Sequence, residues 1–439
     1  MIEGLLLFVY LIIIIAVVMI IHQQKYSNTP LSNIFLLGFF AKLIGGLAFA
    51  AIYKFYYGGG DTLNYFRDCK ILNEAFLNDP ISALKIVFLP KESYSFDIYK
   101  YTSQMWYDRD PASFWVVRII GTLNLFGLNN FWITTCLTST ISFFMIWNFY
   151  FSLIRLYPRI YKNLAIAILF MPSLFFWGSG IMKDTLTISF LAIILKALID
   201  IHRKEYTITT ILIACICFYL TLSIKAYVAA CLVPAAVIYL VIRFKTLIPN
   251  KTIRSIVTPV FLLTTAAVSV VVLNYFSEYL GKYSLDNFED TVEVYGWWHE
   301  TVVNHYQGGQ GSVYSLGFEG GNGITGLILK FPLAVNVSLF RPYLWEIKNA
   351  VMLMTALESF FVLLVTIRII KKNGVIQFSS HLFSDPLISF CITYSLLFLF
   401  AVGLASNNFG ALARYKIPGL TLYMLAIYLV DYSLSLKKR

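Results

Sequence analysis

The feature that most constrains this chain is a series of apolar runs, each long enough to cross a membrane. A transmembrane helix needs about 20 predominantly apolar residues, and runs of roughly that length recur along the sequence. Of the 439 residues, 59% are hydrophobic and only 13% are charged, about half the charged share of a typical soluble domain. The sequence therefore predicts an all-α, polytopic membrane protein with about 11 transmembrane helices, at 4–21, 32–53, 130–154, 163–177, 185–201, 207–224, 226–243, 255–275, 349–370, 387–405 and 417–434.

Basic residues mark one end of these predicted spans. Short loops that carry Lys and Arg stay on the cytoplasmic side of a membrane, so the alternation of the spans predicts an N-terminus outside and a C-terminus in the cytoplasm. It leaves two long extracytoplasmic loops, near 54–129 and 276–348, in which 113–127 and 325–340 could be interfacial helices or half-spans. No linker divides the sequence, which predicts one transmembrane domain over 1–439. The cytoplasmic basic residues are Lys25, Arg155, Arg159, Lys162, Arg203, Lys204, Arg243, Lys245, Lys251, Arg254, Arg368, Lys371, Lys372, Lys437, Lys438 and Arg439.

The formal net charge of +11 follows from this topology and does not indicate nucleic-acid binding. Cys215 and Cys217 lie inside one apolar run at a spacing that does not suit a metal. His299 and His305 are six residues apart, which departs from the four-residue spacing of HExxH. We predict no metal site and no cofactor, although a divalent ion could join a phosphate site.

An acid directly follows three glycines at the end of the second predicted span, in GGGDTLNYFRDCK, 58–70. After Asp61, apolar residues at helical spacing predict an amphipathic helix that ends at 78–80, and a second one at 81–89. Helices of this kind lie flat in the lipid headgroup layer. Asp61 would then face a cavity at the membrane surface, or it would cap the helix, because Asp favours the N-cap position.

A second polar cluster interrupts the apolar sequence in FMPSLFFWGSGIMKDT, 170–185. Pro172 and the glycines predict a tight outer turn that presents Ser179, Lys183 and Asp184. The last two could form a plain surface ion pair and a helix cap, or Lys183 could contact a phosphate.

Three further cations fall on the same predicted side of the membrane. They are Lys225 in SIKAYVA, Arg341 in LFRPYLWE and Arg414 in SNNFGALARYKIP, where Asn407 adds an amide. Each alone could be an interface anchor. Together with Lys183 and Asp61, they predict a site for an anionic lipid or a lipid phosphate.

These features resemble the GT-C superfamily of membrane glycosyltransferases, of the type that serves bacterial surface-polysaccharide assembly. The likeness lies in Asp61 near the start of a first large outer loop, in the amphipathic helices that follow, in PSLFFWGSGIMKD and in the outer-loop arginines. The ending NFGALARYKIP is also similar. The resemblance implies a polyprenyl-phosphate lipid donor, a glycan or lipid acceptor, and a place in the inner (cytoplasmic) membrane of the cell envelope.

The resemblance also implies roles for individual residues. Asp61 would be the general base that accepts the proton of the acceptor hydroxyl. Cations would stabilise the departing phosphate. The implied substrate-binding residues are Lys183, Asp184, Lys225, Arg341, Arg414, Ser179 and Asn407, with Asp68 and Glu346 as reserve carboxylates.

Two other functions stay open on the sequence alone. An oligosaccharide repeat-unit polymerase or ligase would move a larger lipid-linked glycan and would use mainly arginines. A lipid or solute transporter would use Lys42 and Glu358, which lie near the middle of their predicted spans, where charge is costly and usually functional. The simpler interpretation of these two residues is a structural Lys42–Glu358 ion pair.

Overall fold

The computed structural model describes residues 2–245, 312–316, 323–406 and 408–437, and most of these residues lie in helices. The described residues form no β-strand, only an isolated bridge between Val313 and Asn408. Eight of the described helices are long and apolar enough to cross a membrane. The prediction of a multi-pass helical membrane protein is therefore confirmed.

Three of the 11 predicted spans are not among these eight helices. The span predicted at 255–275 lies outside the described residues. The one at 207–224 is an apolar helix of 17 residues, Ile208–Ile224. The span predicted at 163–177 is wrong as a single helix, because Pro172 starts a new helix and the chain forms Tyr161–Leu169 and Pro172–Phe176 instead.

The described helices fall into two compact units, Met1–Pro158 with Leu174–Lys225, and Arg159–Ser173 with Ala226–Arg439. The chain passes from one unit to the other within the helix Pro172–Phe176. The helices are α1 (Ile2–Lys25), α2 (Ser32–Ala51, continued by the π-helical turn Ile52–Tyr57), α3 (Asp61–Asn78), α4 (Pro80–Phe88), α5 (Phe96–Thr102), α6 (Pro111–Phe126), α7 (Phe131–Ile154), α8 (Tyr161–Leu169), α9 (Pro172–Phe176), α10 (Lys183–Arg203), α11 (Ile208–Ile224), α12 (Ala226–Lys245), α13 (Gly323–Phe340), α14 (Ala350–Asn373), α15 (Val375–His381), α16 (Pro386–Ala405), α17 (Phe409–Tyr415) and α18 (Ile417–Lys437).

In the first unit, α7 packs against α2 and α10, and α10 packs against α11. Aromatic rings fill the space between α2 and α7: the ring of Phe35 lies 4.9 Å from that of Trp147, whose Nε1 donates to the hydroxyl of Tyr26 at 2.9 Å. In the second unit, α16 packs against α12, α13 and α18, and the stacked rings of Tyr394 and Phe398, 5.5 Å apart, are buried.

Helix α2 contacts the helical break that precedes α10. A side chain at Gly45 would meet the carbonyl oxygen of Phe175 at 1.9 Å, so only glycine lets this backbone approach. One turn earlier, the buried ammonium of Lys42 donates to the carbonyl of Leu174 at 3.2 Å and to that of Gly178. Broken helices are tolerated inside a membrane only where the freed carbonyls find donors. Lys42 is therefore a structural donor for the break.

The segment between α2 and α7, which is predicted to be extracytoplasmic, forms four helices, and its two predicted amphipathic helices are present as α3 and α4. Asp79 separates them and caps α4 by accepting from the backbone N–H of Ser82 at 3.1 Å. The apolar face of α3 packs against α6, with Leu72 and Cys69 fully buried. The apolar face of α3 is therefore covered by protein, and the position of α3 in the headgroup layer stays a prediction. In α4, by contrast, Phe88 is exposed.

Acids at the predicted cytoplasmic ends pair locally. Glu205 accepts from Arg203 at 2.6 Å and from Arg155 at 3.1 Å, and Lys196 reaches Asp200 at 2.5 Å. In the second unit, Lys372 reaches Asp431 at 2.8 Å. These pairs lie at helix ends and explain how the chain accommodates the few acids among its basic loops.

Candidate active site

Asp61 opens α3 and points to solvent. The residue at the N-cap position is Gly60, whose φ of 109° suits a glycine, and it has no side chain with which to cap the helix. Asp61 is the first residue inside the helix, so the predicted N-cap role is wrong by one position. At this place its carboxylate lies near the positive end of the α3 dipole, which stabilises a negative charge. Its side chain is exposed and therefore accessible to a substrate.

Tyr107, in the loop between α5 and α6, donates a hydrogen bond to the Asp61 carboxylate. Its hydroxyl donates to Oδ1 of Asp61 at 3.1 Å, and its ring stacks on the ring of Tyr65 with 4.3 Å between centroids. Burial and the negative charge of Asp61 raise the pKa of Tyr107. The hydroxyl therefore stays protonated and keeps donating over the physiological range.

The stacked ring of Tyr65 starts a chain of hydrogen bonds that leads from this pair to Lys183. Tyr65 donates to Ser113 Oγ at 3.1 Å, and Ser113 donates to Asp110, the N-cap residue of α6. Lys183, at the start of α10, reaches the same Asp110 carboxylate at 3.3 Å. Burial favours the neutral carboxyl, but the Ser113 hydrogen bond and the Lys183 charge outweigh it and lower the pKa of Asp110. The charge of Asp61 also acts on the Lys183 ammonium.

The backbone of the Tyr107 segment is fixed by Asp68. This carboxylate is fully buried and accepts from the backbone N–H groups of Trp106 and Tyr107, each at 2.9 Å. Burial raises the pKa of Asp68, and the two N–H groups oppose that shift. Asp68 is therefore a structural clamp, and its predicted role as a reserve carboxylate is wrong.

Three predicted residues of the α10 region are not available to a substrate as expected. Asp184 and Lys225 form a buried ion pair, with side chains 5% and 9% exposed. Ser179 is fully buried and donates to the carbonyl of Phe175 at 2.6 Å. The predicted outer turn that presents Ser179 and Asp184 is therefore wrong, and in this region only Lys183, 23% exposed, faces outward.

In the second unit, Arg341 is held by its own surroundings. Its Nε donates to both oxygens of Glu346 at 3.1 Å, and its Nη1 donates to the carbonyl of Ser315 at 3.1 Å. The guanidinium carbon also lies 5.3 Å from the centre of the Phe409 ring. Burial favours neutral Glu346, but the Arg341 hydrogen bonds overcome this and lower the pKa of Glu346. A phosphate would have to compete with Glu346 for Arg341.

Glu358 has a partner that the sequence did not suggest. Its Oε1 accepts from the backbone N–H of Ser173 at 2.9 Å and from the Ser173 hydroxyl at 2.8 Å, and the opposite charge that acts on it is Lys416. The fully buried Lys416 ammonium also donates to Ser359 Oγ at 2.9 Å. Lys42 and Glu358 thus have separate partners, and the predicted Lys42–Glu358 pair is wrong.

The predicted composite site is brought together only in part. Asp61 and Lys183 belong to one network in the first unit. Arg341 and Arg414 belong to the second unit, and their convergence with Asp61 stays a prediction. The guanidinium carbon of Arg414 lies 5.6 Å from the centre of the Tyr415 ring. Asn407 lies outside the described residues.

Sequence reasoning missed Tyr107, Asp110 and Lys416. For Asp110 the signal was present, because Asp followed by Pro is typical of a helix start. Nothing near Tyr107 marks it, since its role depends on the contact of two segments 46 positions apart. Among the described residues, no group of three His, Cys, Asp or Glu side chains could hold a metal ion.

Comparison of this chain with protein-family models, with curated proteins and with solved structures finds no match. The site is therefore interpreted from its own geometry.

Proposed function

We propose that this chain is a membrane glycosyltransferase that moves a sugar from a polyprenyl-phosphate donor to an acceptor hydroxyl. The observation that supports it best is the exposed carboxylate of Asp61, which Tyr107 positions in the same network as Lys183. A base and a cation within one polar network, in a protein that crosses a membrane, suit a reaction at a lipid phosphate.

The proposed reaction assigns each group one task. The acceptor hydroxyl attacks the anomeric carbon of the sugar, and its proton passes to the Asp61 carboxylate. The bond between the anomeric carbon and the phosphate oxygen breaks, and the electron pair leaves with the lipid phosphate. Lys183 stabilises the negative charge on that phosphate. Tyr107 acts as a positioning residue, because its hydroxyl fixes the Asp61 carboxylate in one orientation.

The proposal includes an orientation. The basic loops support an N-terminus outside and a C-terminus in the cytoplasm, and in the proposal the network of Asp61 works at the extracytoplasmic face of the inner membrane. The acceptor would be a glycan or lipid of the cell envelope. Transport is a weaker alternative, because its support was a pair of mid-membrane charges, and Lys42 instead supplies donors to Leu174 and Gly178. An oligosaccharide polymerase or ligase would use the same face and the same lipid phosphate.

The test is a transfer assay with the purified full chain in nanodiscs. Polyprenyl-phosphate sugars would serve as donors and a panel of lipid-linked and free oligosaccharides as acceptors. Asp61→Asn should lower the transfer rate roughly 10²–10⁴-fold because it removes the proton acceptor. Lys183→Gln should lower the transfer rate by about 10²-fold because it removes the positive charge that stabilises the departing phosphate. The transfer rate of Tyr107→Phe should lie between that of Asp61→Asn and that of the wild type.

Glu74→Gln is the matched control, because Glu74 is an exposed acid on the same helix as Asp61. It should leave transfer unchanged. Asp61 is exposed and is not the N-cap residue, so Asp61→Asn, which keeps an acceptor for Tyr107, should change stability by less than about 1 kcal/mol. Asp61→Ala also loses the hydrogen bond from Tyr107, which costs about 0.5–1.5 kcal/mol. Near-normal transfer by Asp61→Asn would refute Asp61 as the base.

A further inference from the structure

The outer segment of the first unit contains an open cavity of about 930 Å³ that none of the proposed chemistry uses. This volume falls within the range of roughly 300–1,000 Å³ typical of small-molecule sites. Its wall is formed mainly by α5 and by the loops on either side of α5, with Arg67 of α3 at one edge. From the residues that line it, we infer that this cavity binds an acidic saccharide, as the acceptor subsite of the glycosyltransferase proposed above.

Aromatic rings on the cavity wall are presented to solvent instead of being packed. Phe96, Tyr99 and Trp106 line the cavity and are 86%, 60% and 64% exposed. An exposed large ring has no packing role, and its electron-rich face attracts the weakly positive C–H bonds on one face of a sugar ring. Three such rings around one cavity are suited to hold several sugar rings.

One carboxylate oxygen of a residue that lines the cavity has no hydrogen-bond donor among the described residues. Asp108 lines it, and its Oδ2 accepts from Lys91 at 2.8 Å. Its Oδ1 is buried and has no hydrogen-bond partner among the described residues. A buried carboxylate oxygen without a donor is unfavourable, and a sugar hydroxyl would supply the donor once the carboxylate turns this oxygen toward the cavity.

The charge on the wall is positive. Lys91 is neutralised by Asp108, which leaves Arg67 and Arg109 as the lining cations. Arg67 donates to the carbonyl of Gln104 at 3.3 Å, and Arg109 has no acid within salt-bridge distance in the described part of the chain. Arginine binds carboxylates and phosphates through its planar fork, so the saccharide that fits carries one of these groups.

The cavity is coupled to Asp61 through neighbouring residues. Trp106 lines the cavity and the next residue, Tyr107, donates to Asp61, while Asp68 holds the backbone N–H groups of both. A saccharide stacked on Trp106 would therefore lie next to the segment that positions the base. This arrangement explains why Asp68 is buried on an otherwise amphipathic helix.

The test measures binding, not transfer, on the full chain in nanodiscs. The probes are three oligosaccharides of matched length that are neutral, carry uronic carboxylates or carry phosphates, and binding is measured by isothermal titration calorimetry. One or both acidic probes should bind at least about tenfold more tightly than the neutral one. Trp106→Ala and Arg109→Gln should each raise the Kd about tenfold, and Arg109→Lys should recover part of the loss. The two acidic probes distinguish a carboxylate from a phosphate as the recognised group.

Two controls distinguish a saccharide site from a lipid site and from a general effect of losing an exposed ring. Phe88→Ala removes an exposed ring outside the cavity and should leave binding unchanged. The difference between the wild type and Trp106→Phe gives the part of the tryptophan fluorescence that comes from Trp106. Brominated lipids should not quench this part; if they do, lipid fills the cavity and the proposal is wrong. It is also wrong if no probe binds, or if neither Trp106→Ala nor Arg109→Gln weakens binding.

The inference rests on the proposed function, but the two fail separately. Asp61→Asn should bind the acidic probe within about twofold of the wild type, because Asp61 does not line the cavity. Binding without transfer by the wild-type chain would refute the glycosyltransferase and leave the saccharide site. Transfer without binding in the cavity would refute the subsite and leave the enzyme.

Discussion

The Asp184–Lys225 pair tests whether these two residues serve the substrate or the fold. Both were predicted to bind substrate, yet their side chains are 5% and 9% exposed and the ammonium contacts the carboxylate directly. Asp184→Asn keeps the shape of the side chain but leaves the ammonium without this carboxylate. Removal of one partner of a buried ion pair typically costs about 3–5 kcal/mol. We expect a loss of stability of that size for Asp184→Asn and a similar loss for Lys225→Met.

The double variant distinguishes a pair from two independent effects. When both charges are removed, no unpaired charge stays buried, so the desolvation penalty disappears. Each charge also lies at the favourable end of a helix dipole, Asp184 in the first turn of α10 and Lys225 at the end of α11, and loss of these terms costs about 0.3–1 kcal/mol each. Asp184→Asn with Lys225→Met should therefore cost about 1–2 kcal/mol, far less than the sum of the single losses.

The assay is unfolding of the purified chain in mixed micelles, followed by tryptophan fluorescence. Asp110→Asn is the matched control, because it breaks the Asp110–Lys183 pair, whose side chains are 50% and 23% exposed. That partly solvated pair should contribute only about 0–1 kcal/mol. Additive losses in the Asp184 and Lys225 double variant would refute the pairing. Stable single variants that lose lipid-phosphate binding would restore both residues to the substrate site.

Two further predictions follow from packing and from charge. Gly45→Ala should destabilise the chain by about 1–3 kcal/mol, because the new Cβ would meet the Phe175 carbonyl oxygen at 1.9 Å, whereas Gly59→Ala, with nothing within 4 Å, should be neutral in the same unfolding assay. Because folding lowers the pKa of Asp110, its contribution to stability is present above pH of about 4 and is lost as the pH falls through the folded-state value. The unfolding midpoint of the wild type should therefore fall more steeply between neutral and acidic pH than that of Asp110→Asn, and parallel curves would contradict this.

The sequence by itself determined the class of protein and most of its helices. Apolar runs predict membrane helices because the free energy of transfer into lipid is a sum over neighbouring residues. The predicted helix ends were also correct, because they too depend on neighbouring residues: the helix that begins at Asp61 ends at Asn78, and the Asp79-Pro80 step starts the next one. The predicted single span at 163–177 failed because a hydropathy profile does not show that the chain ends one helix at Leu169 and starts another at Pro172.

Only the tertiary structure decided which charges are available and which are paired. The sequence predicted Lys183, Asp184 and Lys225 together as substrate ligands. In the structure, Asp184 and Lys225 form a buried ion pair, and Lys183 pairs with Asp110. Lys42 and Glu358 look alike in a hydropathy profile, yet one donates to backbone carbonyls and the other accepts from Ser173. Ionic and hydrogen-bond partners depend on distances between segments far apart in the chain, and those distances arise only when the helices pack.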